Sequence, residues 1–193
     1  MLNSQEIEAI LRKTGVYKQG HFKFTSGLHS DTYLEKFQLL QYPKVTELLC
    51  QELARRTSRL KPDVVVGPAT GGIILAYELA RQLGCRSIFT EREEGAMALR
   101  RGFNVAPEEQ VLLVDDIVTT GSSVREVLAC LTQHQAQVVG VAALVDRSGG
   151  RVTFPVEFYP LLQLHMAAWE AETCPLCRRG LPLVEPGSRN LKK

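Results

Sequence analysis

Two adjacent carboxylates, Asp115 and Asp116, follow four consecutive apolar residues, Val111 to Val114, and precede a turn of hydroxyls and glycine, Thr119-Thr120-Gly121-Ser122-Ser123. An unbroken apolar run predicts a strand buried on both faces of a parallel sheet. Behind the turn, Val124, Val127, Leu128 and Leu131 recur at i, i+3, i+4 and i+7, one face of a helix. The acids therefore belong at the carboxyl end of a central strand, and a loop of small residues opens a helix N-terminus. Free N–H groups there bind phosphate, with the helix dipole adding attraction. Carboxylates beside them accept from sugar hydroxyls or from the water ligands of magnesium. Gly121 is expected where close backbone approach or a positive φ excludes a side chain. An acidic pair alone would equally suit helix capping or a solvated edge, so it is the turn behind it that points to a sugar phosphate.

The elements that must position these groups can be read outward from the acids. The chain of 193 residues is one domain with a small appendage, and 45% apolar residues is ordinary for a globular core. Asn3, with Glu6 three residues on, predicts the capped start of a helix over 4–13. GHFKFTSGLHSDTYLEK suggests short strands in a hairpin. A helix is expected over 43–60 with Val45, Leu48, Leu49 and Leu53 inward, then a strand over 64–66 ending in Gly67-Pro68-Ala69-Thr70-Gly71-Gly72. A helix over 73–83 and a strand over 87–90 follow, then a polar stretch from Glu91 to Gln110 read as a long, hairpin-like loop. After the acidic strand and its helix, 138–145 is another buried strand. Strands alternating with amphipathic helices predict a doubly wound parallel sheet, whose ligands bind beyond the strands' carboxyl ends. Loops 67–72, 115–123 and 146–150 are expected to converge there. Beyond 151, Pro155, Pro160, Pro175, Pro182 and Pro186 interrupt the pattern. The division is a domain over 1–150 and an appendage over 151–193 that caps the sheet and ends in a mobile tail beyond Arg189.

Charge and cysteine usage bound the partners. A net charge of +2 gives no gross attraction to nucleic acid or an anionic membrane. No apolar run approaches the roughly 20 residues that span a bilayer, and the N-terminus lacks a signal peptide's apolar stretch. Five cysteines, odd in number and scattered, do not make a secreted disulfide framework. A cytoplasmic location follows as the expectation.

The stretch from Val111 to Ser123 resembles the phosphoribosyl-pyrophosphate (PRPP) motif of the type I phosphoribosyltransferases. Over roughly residues 1–150 the chain looks most like the orotate phosphoribosyltransferase family, through FKFTSGLHSDTYL, GPATGGIILA and VDRSGG. The resemblance implies an α/β fold, type I phosphoribosyltransferase-like, with a central parallel sheet flanked by helices, an N-terminal hood and a C-terminal appendage. It implies transfer of the phosphoribosyl group of PRPP to orotate, with Mg2+ as cofactor, and a homodimer. Asp115 and Asp116 would hold the ribose hydroxyls directly or through magnesium. Thr119, Thr120, Gly121, Ser122 and Ser123 would wrap the 5′-phosphate, with Thr119 also beside the base, and Ile117 and Val118 would belong to the same PRPP site. Arg147 would grip the orotate carboxylate, a task suited to a planar bidentate cation; its alternative is a salt bridge to Asp146 or another acid.

Two lysines of the family pattern are absent, with Thr25 and Gly71 at their positions. The family's mobile loop carries lysines and a histidine, whereas TEREEGAMALRRGF offers Arg92, Arg100 and Arg101. Arginine can stabilise leaving pyrophosphate by charge but cannot donate a proton near neutral pH. Alternatively, Arg100 and Arg101 are solvated and counter Glu91, Glu93 and Glu94. A purine phosphoribosyltransferase of adenine or xanthine type, or a PRPP-sensing regulator, are the competing functions.

Cys174-Pro175-Leu176-Cys177 is half of a zinc site. A partner subunit or His165 could complete it; a redox or plain thiol pair is the rival, and Arg178-Arg179 reads as a solvated pair. Cys50, Cys85 and Cys130 are expected to be buried. His29, in the hood, is a candidate to approach substrate, His134 reads as a surface residue, and Trp169 as a packing anchor for the appendage.

Overall fold

A computed structural model describes residues 1–24 and 26–186. Thr25 and the tail beyond Arg189, both singled out above, lie outside the described residues.

Helix α1 (Ser4–Lys13) opens with the capping box expected: Asn3 accepts from the Glu6 N–H at 3.0 Å, and the Glu6 carboxylate accepts from the Asn3 N–H at 2.8 Å. Strands β1 (Tyr17–Lys23) and β2 (His29–Leu34) pair antiparallel as a two-stranded hairpin. A short helix α2 (Phe37–Leu40) leads into α3 (Pro43–Thr57). Leu49 and Leu53 of α3 are fully buried, but Leu48 is turned to the surface, against the expectation. It lies one position from the buried row, about 100° around the helix.

Then come β3 (Val64–Pro68), α4 (Gly71–Leu83), β4 (Arg86–Glu93), β5 (Ala96–Leu99), β6 (Gln110–Val118), α5 (Ser122–Gln133), β7 (Gln137–Asp146), β8 (Phe158–Gln163) and the four-residue α6 (Pro175–Arg178). The main sheet has the order β5-β4-β3-β6-β7-β8, parallel except for β5, which pairs antiparallel with β4. The polar stretch expected as a loop is thus a β-hairpin through Glu94-Gly95, followed by irregular chain.

Alternation along β6 sorts the two cores. Leu112 and Val114 pack with Leu49, Leu53, Leu75 and Leu79 of α3 and α4, whereas Val111 and Leu113 pack with Val124, Val127 and Leu131 of α5. Both faces of β6 are covered, as its apolar run predicts.

Two strand ends differ from the sequence reading. Strand β6 runs on past Val114 through Asp115 and Asp116 to Val118, paired with β7. The last strand, β8, comes from the segment expected as an appendage and pairs in parallel with β7. Pro160, one of the prolines that interrupt the pattern of this segment, lies within β8. At the outer edge of the sheet, however, a residue without an N–H is tolerated. Among the described residues no helix is long and apolar enough to cross a membrane.

Candidate active site

Strands β3, β6 and β7 end side by side, and the three loops expected to converge do so. Loop Thr119–Gly121 joins β6 to α5 and lines a cleft with Phe24, Ser26, Asp115, Ser122, Ser123 and Arg147. Gly121 has φ 75°, and a Cβ there would lie 2.8 Å from Val152 Cγ1. Both reasons for glycine therefore apply at once. No side chain caps α5 at Gly121, so N–H groups of its first turn face the cleft, the arrangement that holds phosphate. Arg125, one turn into α5, donates to the Thr120 carbonyl and to the Thr153 carbonyl at 3.3 Å, and stacks on Phe154, bracing the loop from behind.

Asp115 and Asp116 occupy consecutive strand positions, so their carboxylates diverge. Asp115 lines the cleft and accepts from the Asp116 N–H at 2.8 Å. Asp116 turns to the α4 side, where its Oδ2 lies 2.9 Å from Lys36 Nζ. Both carboxyls are almost completely buried. Burial, then the charge of Asp116, pushes the Asp115 pKa well above the ordinary carboxylate range. Burial also raises Asp116, against the pull of Lys36. For Lys36, burial would lower the pKa, but Asp116 and Asp115 outweigh it and leave the ammonium firmly charged.

Gly71, the first residue of α4, explains one missing lysine. A Cβ at this position would stand 1.9 Å from Asp116 Oδ2. The backbone here packs directly on the carboxylate, and the cation beside the acids comes from Lys36 instead. The same β3–α4 turn is closed by backbone contact, since a Cβ on Gly67 would lie 2.2 Å from the Gly72 carbonyl oxygen.

Arg147 follows the end of β7 and stacks its guanidinium 4.1 Å above the centre of the Phe24 ring. Among the described residues no carboxylate pairs with it. Asp146, the sequence alternative, is engaged elsewhere, accepting from the N–H groups of Ser148 (2.8 Å) and Gly150 (3.0 Å) and from Gln163 Nε2 (3.1 Å). Burial would raise Asp146, yet these donors outweigh it and hold its carboxyl below the usual range. Burial also pulls the Arg147 pKa down, though a guanidinium stays charged. A desolvated, unpaired planar cation on the cleft wall is a receptor for a carboxylate.

The arginines of the β4–β5 region are placed differently. Arg101 pairs bidentately with Glu91 at 2.8 and 2.9 Å, Arg100 with Glu93 at 3.2 Å, and Arg92 with Glu126 at 2.6 Å. None lines the cleft. Arg100 and Arg101 are thus held by carboxylates they were alternatively expected to counter, whereas Arg92 is held by Glu126 of α5.

His29 does not approach the cleft as expected; its Nδ1 lies 3.0 Å from His21 Nε2 and 3.3 Å from Cys177 Sγ. His165, the histidine considered for the cysteine pair, sits instead against Gly149. Sequence reasoning also missed Lys36, Phe24, Ser26 and Arg125. Phe24, Ser26 and Lys36 fall in or beside the hood motif, and Arg125 falls four residues after Gly121, so proximity to the motifs was the available signal.

Asp115 faces the cleft with hard oxygen donors of the type magnesium takes, whereas Asp116 is turned toward Lys36 and would serve such an ion from behind it. Two carboxylates are few for an all-protein cage, which suits an ion that keeps its waters and the oxygens of a bound phosphate ester.

Comparison with known proteins agrees with this geometry. The family described as "Phosphoribosyl transferase domain" matches residues 38–160. The chain is similar to the orotate phosphoribosyltransferase of Thermoanaerobacter sp. (strain X514), 50% identical over 188 residues, 97% of this chain and 99% of that protein. The corresponding protein of Caldanaerobacter subterraneus subsp. tengcongensis is 47% identical over 190 residues, 98% of this chain and all of its own length (100%). Among solved structures, orotate phosphoribosyltransferase from Aeropyrum pernix superposes with a TM-score of 0.68 at 26% identity, covering 82% of this chain and 93% of that one.

Proposed function

The chain belongs to the orotate phosphoribosyltransferases within the phosphoribosyl transferase domain family, and from that premise we propose how its residues bind PRPP and orotate and join them. The reaction gives orotidine 5′-monophosphate and pyrophosphate, a step of pyrimidine biosynthesis. The observation that carries the choice of base is Arg147: unpaired, desolvated and stacked on Phe24 at the wall of the phosphate cleft.

The 5′-phosphate docks on the N–H groups and hydroxyls of Thr119, Thr120, Gly121, Ser122 and Ser123. The ribose hydroxyls then reach Asp115, whose carboxylate accepts from them and lowers the energy of positive charge on the ring as pyrophosphate departs. The bond from the anomeric carbon to pyrophosphate oxygen breaks while the orotate ring nitrogen, its proton given up to solvent, bonds to the opposite face, with inversion. Arg147 holds the orotate carboxylate and so fixes which nitrogen faces the sugar. Asp115 and Asp116 would hold magnesium, mostly through water or substrate, and the ion would supply charge compensation for the pyrophosphate. Pyrophosphate release with PRPP, magnesium and orotate, uracil, adenine, hypoxanthine or xanthine tests the assignment. Turnover is expected with orotate; turnover with a purine and none with orotate would overturn it.

Arg100 and Arg101 are proposed to reach the leaving pyrophosphate after exchanging their carboxylate partners for phosphate. Exposed ion pairs are weak enough to allow this exchange. Single-turnover rates should then drop in both Arg100→Ala and Arg101→Ala, and unchanged chemistry in both removes the loop from the mechanism.

A homodimer is proposed on the apolar groove where Ile73, Ile74 and Tyr77 of α4 meet Leu40 and Pro43, with Ile74 and Tyr77 exposed. Light scattering should give a dimer mass for the wild-type chain and a monomer mass for Tyr77→Glu. A monomeric wild type rejects the proposal.

A further inference from the structure

The hairpin of β1 and β2 and the C-terminal segment meet at four side chains unrelated to the cleft. His21, His29, Cys174 and Cys177 bring their ligand atoms within 4.8 Å of one another. His21 Nε2 lies 3.0 Å from His29 Nδ1 and 3.6 Å from each sulfur, and Cys177 Sγ lies 3.3 Å from His29 Nδ1. We propose that these four residues form a tetrahedral zinc centre that staples the C-terminal segment to the hairpin.

The spacing fits the ion. Zinc bonds of about 2.3 Å to sulfur and 2.0–2.1 Å to nitrogen give tetrahedral edges of roughly 3.4 Å between nitrogens and 3.6 Å between nitrogen and sulfur. The widest separation closes by about 1 Å, within the reach of a cysteine rotation. The tautomer fits as well. The ring nitrogen Nδ1 of His21 lies 2.9 Å from the Leu181 carbonyl, which can only accept. Nδ1 therefore carries the proton, and Nε2 turns a lone pair toward the other three ligands, the usual outer partner of a zinc-bound imidazole. Both histidines and Cys174 are buried, and Cys177 reaches the group from the surface. Thiolate and imidazole select zinc over magnesium, so this site and the acid pair do not compete for one ion.

The segment needs such a staple. It is tied to the hairpin by few backbone bonds, chiefly the His29–Trp169 pair at 2.8 and 2.9 Å and Val184 bonded to His21 and Lys23 at 2.8 and 2.9 Å. A piece of chain this short buries little core of its own, and a metal then supplies folding free energy. The hairpin turn beyond β1 carries Phe24 and Ser26 into the cleft. The staple therefore supports the wall on which Arg147 stacks. The metal site stands independently of the proposed activity, and only its effect on orotate binding rests on that reading.

Metal content of the full chain, purified with its thiols reduced, is the test. One zinc per chain is expected by elemental mass spectrometry. Exchange with cobalt should produce the visible bands of a tetrahedral ion and a thiolate charge-transfer band. Cys174→Ser and His29→Ala should each abolish that spectrum while leaving pyrophosphate release from PRPP measurable. The cobalt exchange on the wild-type chain needs no substitution, so misfolding of a variant cannot decide the outcome. A reduced wild-type chain that takes up neither zinc nor cobalt overturns the proposal, as does full occupancy in the Cys174→Ser, Cys177→Ser double variant.

Discussion

Asp115→Asn should leave a more stable protein that scarcely turns over. The carboxyl is 7% exposed and adjoins a second buried acid, and among the described residues the pair shares a single paired cation, Lys36. Ionising Asp115 in the folded chain is therefore costly, and this raises its pKa. Asparagine keeps the oxygen that accepts from the Asp116 N–H but removes the charge. Each kcal/mol so relieved should raise Tm by roughly 2–4 °C in a chain of this size. Activity should fall by roughly 10²–10³-fold, the usual cost of deleting one preorganised electrostatic group facing developing charge.

The pH dependence has a definite sign. A carboxyl whose folded pKa lies above its unfolded value of about 3.8 binds more protons in the folded state once the unfolded chain begins to ionise. Asp115 thus costs nothing near pH 3 and costs progressively more stability as pH rises through its folded pKa. The Tm advantage of Asp115→Asn over wild type should be near zero at about pH 4 and grow steadily toward pH 8. A Tm difference that is flat or shrinking over that range would show that the acid is not held against its solvation. The same strain is useful in catalysis, because sugar hydroxyls and a divalent ion supply what burial removes.

The parts of this site legible in the sequence lie in short contiguous stretches, chiefly one, with Arg147 added by the resemblance of VDRSGG. Thirteen residues from Val111 to Ser123 contain a strand, its acids, a left-handed glycine and a helix N-terminus, and local periodicity suffices to read them. What stayed hidden depends on contacts between distant segments. Lys36 neutralises Asp116 across a gap of 80 positions only because the hairpin folds over the sheet. His21 and Cys174 meet across 153 positions. Strand β8 was concealed by Pro160, whose missing N–H matters little at a sheet edge. Even Gly71, a departure from the family pattern in sequence, becomes understandable once Asp116 is seen filling the space of its Cβ.

Arg147→Ala should separate recognition of the base from recognition of the sugar phosphate. Its guanidinium contacts the face of Phe24 and no acid among the described residues, so an incoming carboxylate meets a half-buried cation held in plane by the ring. A charge-assisted bond of this kind contributes about 1.5–3 kcal/mol, equivalent to roughly 10–150-fold in kcat/KM for orotate. PRPP should bind with nearly unchanged affinity by calorimetry, because the Thr119–Ser123 loop and Asp115 do not depend on the arginine side chain. Preference for orotate over uracil should collapse by a similar factor, since the carboxylate is what distinguishes them. Arg147→Lys should recover only part of the loss, because an ammonium restores the charge but neither the planar fork nor the stacking on Phe24. Equal weakening of PRPP and orotate in Arg147→Ala would instead mean that the residue holds the cleft's shape and does not read the base.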